Sequence, residues 1–121
     1  MHSNPPPRKP RVFITNDPGS LDFSKAEVFG ELWRLSTGTV DPFRPHIVQA
    51  QVVAMLGAEF DADLDYILPS GAVLAVAFTF AWLGIYADNG PSLKKEDSPA
   101  RVKLLLFDSK KREYIARVVA L

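Results

Sequence analysis

The stretch whose reading decides the fold is YILPSGAVLAVAFTFAWLGIYADNG, residues 66 to 90. A short apolar run leads into Pro69-Ser70-Gly71, and from Gly71 to Ala87 no side chain is charged. Such a segment is a membrane span, a helix packed into a core, or a helix whose first turn holds a ligand. A span needs about 20 apolar residues, with about 17 at the low end, and basic residues near its ends set its orientation. Here the flanks are acidic: Asp63 and Asp65 precede the run and Asp88 follows it. Ala72, Ala75, Ala77, Ala81, Ala87 and Gly84 suit close approach of a helix to a sheet. The segment therefore reads as a strand over 65–69 followed by a central core helix, closed by the turn residues Asn89-Gly90-Pro91.

Upstream, HIVQAQVVAMLG (46–57) has helical spacing. Ile47, Val48, Val52, Met55 and Leu56 share one face, Pro45 suits the first turn and Gly57 the end. ELWRLSTG (31–38) alternates as a strand does. FSKAEVFG (23–30) reads as a short helix. Ser24 and Glu27 have the spacing of a capping box, Phe23 and Val28 that of a hydrophobic staple, and Gly30 is a natural stop. RVFIT (11–15) is a β-branched and aromatic run before the turn NDPGS, hence a buried strand. The connection between these first two strands is long enough for a crossover, so they are expected to lie parallel.

Downstream, SLKKEDSPA (92–100) is a polar loop and RVKLLLF (101–107) a buried strand. REYIARVVAL (112–121) returns as an antiparallel edge strand, guarded by Arg112 and Arg117. Strands alternating with helices predict an α/β domain. The expected form is a compact three-layer Rossmann-like or flavodoxin-like open sheet of five strands, mostly parallel, with a C-terminal antiparallel edge hairpin. Residues 1–10, with Pro5, Pro6, Pro7 and Pro10 among basic residues, read as a tail ahead of one domain spanning 11–121.

The bulk composition agrees. A chain of 121 residues suits one domain, which buries roughly two thirds of its unfolded surface. Apolar residues make up 47% and charged residues 23%, the range of soluble globular proteins. The absence of cysteine excludes disulfides and thiolate metal sites and fits a cytoplasmic location. The opening MHSNPPPRKPR has no apolar core of a secretory signal. Net charge is zero but unevenly spread: residues 58–91 carry five acids and no Lys or Arg, residues 92–121 eight bases and four acids. A basic hairpin of Lys110, Lys111, Arg112 and Arg117 with Tyr114 meets an acidic protein surface more readily than nucleic acid, since the whole chain is neutral.

In open α/β sheets ligands bind beyond the carboxyl ends of the strands. Three loops should converge there: Thr15-Asn16-Asp17-Pro18-Gly19, Ser36-Thr37-Gly38-Thr39 and Ser70-Gly71. Ser70 is expected as the N-cap of the long helix, with Gly71 admitting an anion to the free amides. Asn16, Ser36, Thr37 and Thr39 would add polar contacts, and Arg44 an anion clamp. Asp17, as a metal ligand or general base, and His46, as an acid or base, are the candidate catalytic groups. With two distant histidines and no cysteine, a zinc site is not expected. Neither GxGxxG nor GxxxxGK[ST] occurs, so no particular cofactor is indicated.

Two functions follow. One is a domain that binds a nucleotide or other phosphate-bearing ligand at the carboxyl edge, with hydrolysis added by Asp17 or His46. The other is a non-enzymatic accessory protein of phage or mobile-element type. It would bind a protein partner through its tail, edge strand or basic hairpin, or pair with itself through the last strand.

Overall fold

The computed structural model describes residues 8–89 and 101–120. It contains five strands: β1 Arg11–Ile14, β2 Glu31–Arg34, β3 Tyr66–Leu68, β4 Arg101–Asp108 and β5 Glu113–Ala120. Two helices, α1 Pro45–Glu59 and α2 Val73–Asn89, and a single 3-10 turn, Ser24–Val28, connect them. The fold is mixed α/β with one sheet in the order β2-β1-β3-β4-β5. β1 pairs in parallel with β2 and β3, β3 in parallel with β4, and β4 antiparallel with β5. The first crossover is thus parallel and the C-terminal pair a hairpin, as the connection lengths predict. The proline-rich segment up to residue 7, including His2, the turn residues Gly90-Pro91 and the polar loop 92–100 lie outside the described residues.

Alternation along the strands builds two unequal cores. Phe13, Ile67 and Val102 face α1 and α2, packing with Val48, Val52, Leu56, Ala75 and Leu83. Val12, Ile14, Leu68 and Leu105 face the other way, where Phe23 and Ala26 close a smaller core. One face therefore carries two long helices and the other a single turn. The reason is topological: β4 returns through a hairpin instead of a crossover helix, so no further helix crosses the thin face among the described residues.

The segment 23–30 departs from the α-helix expected of it. In a 3-10 turn residues i and i+3 eclipse, which sets Phe23 and Ala26 together on the sheet. Val28 points outward, 84% exposed, so the staple with Phe23 does not form. The Ser24 amide donates to Asp22 Oδ1 at 2.9 Å, and Phe23, at the cap position, offers no side-chain hydrogen bond. Gly30 then passes so near Pro10 that a Cβ there would lie 2.7 Å from the Pro10 carbonyl carbon.

α1 starts on Pro45 and runs past Gly57 to Glu59. Val48, Val52 and Leu56 form its buried row, while Ile47 is exposed and Met55 half-buried. α2 buries Ala75, Thr79 and Leu83, again four residues apart. Leu74, Phe78, Phe80 and Trp82 are half-buried beside that row, while Val73, Ala77, Ala81 and Ile85 face outward. Trp33 and Trp82 are half-buried against the main core.

The N-terminal segment joins the fold through Asp65, whose side chain has no exposed surface. Arg8 grips both its oxygens, at 2.7 and 2.6 Å, and donates to the Glu59 carbonyl at 2.9 Å. The Arg11 and Asp61 amides also donate to Asp65, at 2.9 and 2.7 Å. One carboxylate thus ties the chain start to the end of α1 and the start of β3.

Candidate functional site: the carboxyl edge and the outer helix face

The three loops do converge at the carboxyl ends of β1, β2 and β3. Their polar groups meet each other. The Thr15 hydroxyl donates to the Ser70 carbonyl at 2.6 Å and accepts from the Ser70 amide at 2.8 Å. Asn16, 1% exposed, reaches all three loops. Its Oδ1 accepts from the Ala72 amide at 3.0 Å, and its Nδ2 donates to Ser36 Oγ and to the Gly38 carbonyl, each at 3.1 Å. Ser36 Oγ donates to the Thr15 carbonyl at 2.8 Å. Among the described residues no buried side-chain nitrogen or oxygen lacks a partner.

This network changes the reading of Ser70 and Gly71. α2 opens at Val73, so Ser70 lies ahead of the cap position. The side chain that reaches the helix start is that of Asn16, on β1's exit loop. Gly71 has φ +75°, and a Cβ there would lie 2.7 Å from Asn16 Cβ. Close packing against Asn16 accounts for the glycine.

Asp17 is largely covered and doubly held. Arg34 Nε donates to Oδ2 at 2.6 Å and the Gly19 amide to Oδ1 at 2.9 Å. The Arg34 contact, and after it the Gly19 amide, holds the Asp17 carboxyl below its usual pKa. The backbone locks it further: the Asp17 amide donates to Ser36 and the Gly38 amide to Asp17. Such a carboxylate is an anchor for the turn.

Thr37, Thr39 and Arg44 are exposed and, with Ser36, line a hollow of about 120 Å³ between β2's exit and α1. Arg44 leans on Asp41 at 4.0 Å. His46 is exposed on the first turn of α1, outside that lining. No group of three or more His, Asp or Glu among the described residues is placed to hold a metal ion. A second hollow of about 280 Å³ opens on the thin face between Leu21, Phe23, Leu105, Phe107 and Tyr114.

The most unusual surface lies elsewhere. α1 and α2 pack side by side, and from Pro45 to Ala58 and Gly71 to Ala87 there is no Asp, Glu, Lys or Arg. Ala50, Val53, Ala54, Gly57 and Ala58 of α1 are exposed, as are Val73, Ala77, Ala81 and Ile85 of α2. Val73 is 81% exposed. α1 adds the uncharged polar residues His46, Gln49 and Gln51 to this surface, so it is free of charge there without being apolar all round. No helix among the described residues is long and apolar enough to cross a membrane.

A family profile described as Phage Pam3 gp32-like protein matches residues 10–121. The chain belongs to that family. No curated protein and no solved structure matches it.

The structure brings Asn16, Ser36 and Ser70 together, leaves Thr37, Thr39, Arg44 and His46 at the surface, and joins Asp17 to Arg34. Thr15 and Arg34 were not singled out from the sequence. Thr15 ends an apolar run with a hydroxyl, a visible signal at a strand exit. Arg34 shows none, because its partner is set only by the pairing of β1 with β2.

Proposed function

We propose that this chain is a phage-encoded interaction module with no chemistry of its own, and that the outer face of the α1–α2 pair docks on a protein partner. The observation that carries this reading is the exposed surface of α1 up to Ala58 and of α2 up to Ile85, which holds small and apolar residues with His46, Gln49 and Gln51 but no charge. Soluble monomers rarely expose a broad apolar patch unless something binds it. Membership of a phage family supports a partner among phage-encoded proteins.

Less supports a phosphate-bearing ligand at the carboxyl edge. The strand order 2-1-3-4-5 is that of flavodoxin-like sheets, whose ligands sit where β1 and β3 diverge. In this chain Asn16 packs against Gly71 at that position, and Asp17 is held by Arg34. Thr37, Thr39, Arg44 and His46 remain available only on an open surface.

The test uses Val53→Lys and Ala81→Lys in the full chain. Surface changes of this kind alter stability by about 0.5 kcal/mol or less. Both variants should unfold like the parent, bind less of an apolar dye in the native state, and fail to restore plaques in a phage lacking the gene. Full restoration by both would refute the docking face. A nucleotide or phosphorylated metabolite that raised the unfolding midpoint by several degrees would favour the carboxyl-edge reading instead.

A further inference from the structure

β5 is the last strand of the sheet, and the direction of its backbone groups follows from the ladder. The Thr15 amide donates to the Leu68 carbonyl at 3.2 Å, so Leu68 turns its polar groups toward β1 and Ile67, one residue earlier, toward β4. Ile67 is paired with Leu104, so Lys103 and Leu105 turn toward β3 and Leu104 toward β5. Leu104 lies opposite Arg117. Arg117 therefore turns inward, and Tyr114, Ala116 and Val118 present their N–H and C=O groups at an edge that no other strand covers among the described residues. The Arg117 guanidinium folds over that edge and donates to the Ala116 carbonyl at 2.8 Å.

We infer that β5 pairs antiparallel with β5 of a second copy, about a two-fold axis at Ile115, to form one continuous sheet. A two-fold ladder must set outward residues opposite outward residues, which leaves few centres. An axis at Arg117 opposes two arginines. An axis at Tyr114 sets Arg117 against Lys111, and one at Ala116 sets it against Ile115. The axis at Ile115 puts Glu113 opposite Arg117 of the second copy, and Arg117 opposite its Glu113, with the two Ile115 side chains in contact. Opposite charges directly across a ladder stabilise it, and like charges weaken it. Ala116 then meets Tyr114 in hydrogen-bonded pairs, and the arginine that covers the edge moves to a carboxylate. This edge is separate from the outer helix face, so either surface can fail its test alone.

The experiment is sedimentation of the full chain, its Glu113→Lys and Arg117→Glu variants, and their equimolar mixture. The parent should be a dimer at ~0.1 mM, and each variant should dissociate ~10-fold more readily, because its homodimer would oppose like charges. The mixture should recover a heterodimer, because Lys at 113 then faces Glu at 117. Ala116→Pro removes an outward amide without touching the β4 ladder, so it should give a folded monomer. A parent that stays monomeric at ~0.1 mM overturns the proposal. So does a dimer indifferent to both charge changes, a mixture that does not recover, or a dimer that survives Ala116→Pro.

Discussion

Replacing Asn16 by alanine tests whether the carboxyl edge is architecture or a binding site. The side chain is buried and makes three hydrogen bonds, one each to the Ala72 amide, Ser36 Oγ and the Gly38 carbonyl. A neutral hydrogen bond contributes about 1 kcal/mol, and a buried partner left unpaired costs about 1–3 kcal/mol. The three together give a loss of roughly 3 kcal/mol for Asn16→Ala. In a domain of this size that lowers the thermal midpoint by about 10 °C. The assay is urea unfolding followed by the fluorescence of Trp33 and Trp82. The midpoint should fall with an unchanged slope, since the surface exposed on unfolding is nearly the same. A variant as stable as the parent, or more so, would refute the reasoning. It would mean that these polar groups are held for a ligand, because groups kept for function commonly cost stability.

Gly71→Ala should cost more than Asn16→Ala, since a Cβ at positive φ adds about 1–2 kcal/mol to the collision with Asn16; comparing their urea midpoints decides this. Arg8→Ala should lower stability by about 2–4 kcal/mol, because the buried Asp65 carboxylate keeps only two backbone donors. A thermal midpoint unchanged by that substitution would show that the N-terminal segment is not anchored. Asp17 has a folded pKa below its unfolded value, mainly through Arg34. Its contribution is therefore present above about pH 4, the unfolded value, and lost as the pH falls through the lower folded value. The stability gap between the parent and Arg34→Met should accordingly be open near neutrality and close in acid; a gap constant across urea midpoints at falling pH would contradict this.

Much of the architecture was legible in the sequence because the signals are local. Short β-branched runs, helical spacing at Val48, Val52 and Leu56, and turn residues after Ile14 mark elements without reference to distant residues. The parallel crossover and the final hairpin follow from connection length alone. The 3-10 turn was not legible. Ser24 and Glu27 have the spacing of a cap, but the segment is short and its form is set by seating Phe23 and Ala26 on the sheet. The clustering of the three exit loops was also foreseeable, because it follows from the parallel order.

What those loops do was decided by tertiary structure. Asn16 and Ala72 are 56 residues apart in the chain, and Arg8 and Asp65 are 57 apart. Such contacts exist only because β1 lies between β2 and β3, and no local pattern encodes that order. The same holds for the run from Gly71 to Ala87. Its lack of charge, read from the sequence, means that the helix is meant to be covered. The fold buries Ala75, Thr79 and Leu83 fully and Leu74, Phe78, Phe80 and Trp82 in part, and turns Val73, Ala77 and Ala81 outward, since the sheet and α1 together cover only part of its circumference. Sequence alone determined that α2 avoids water; the tertiary structure decided which of its residues the rest of the described fold covers.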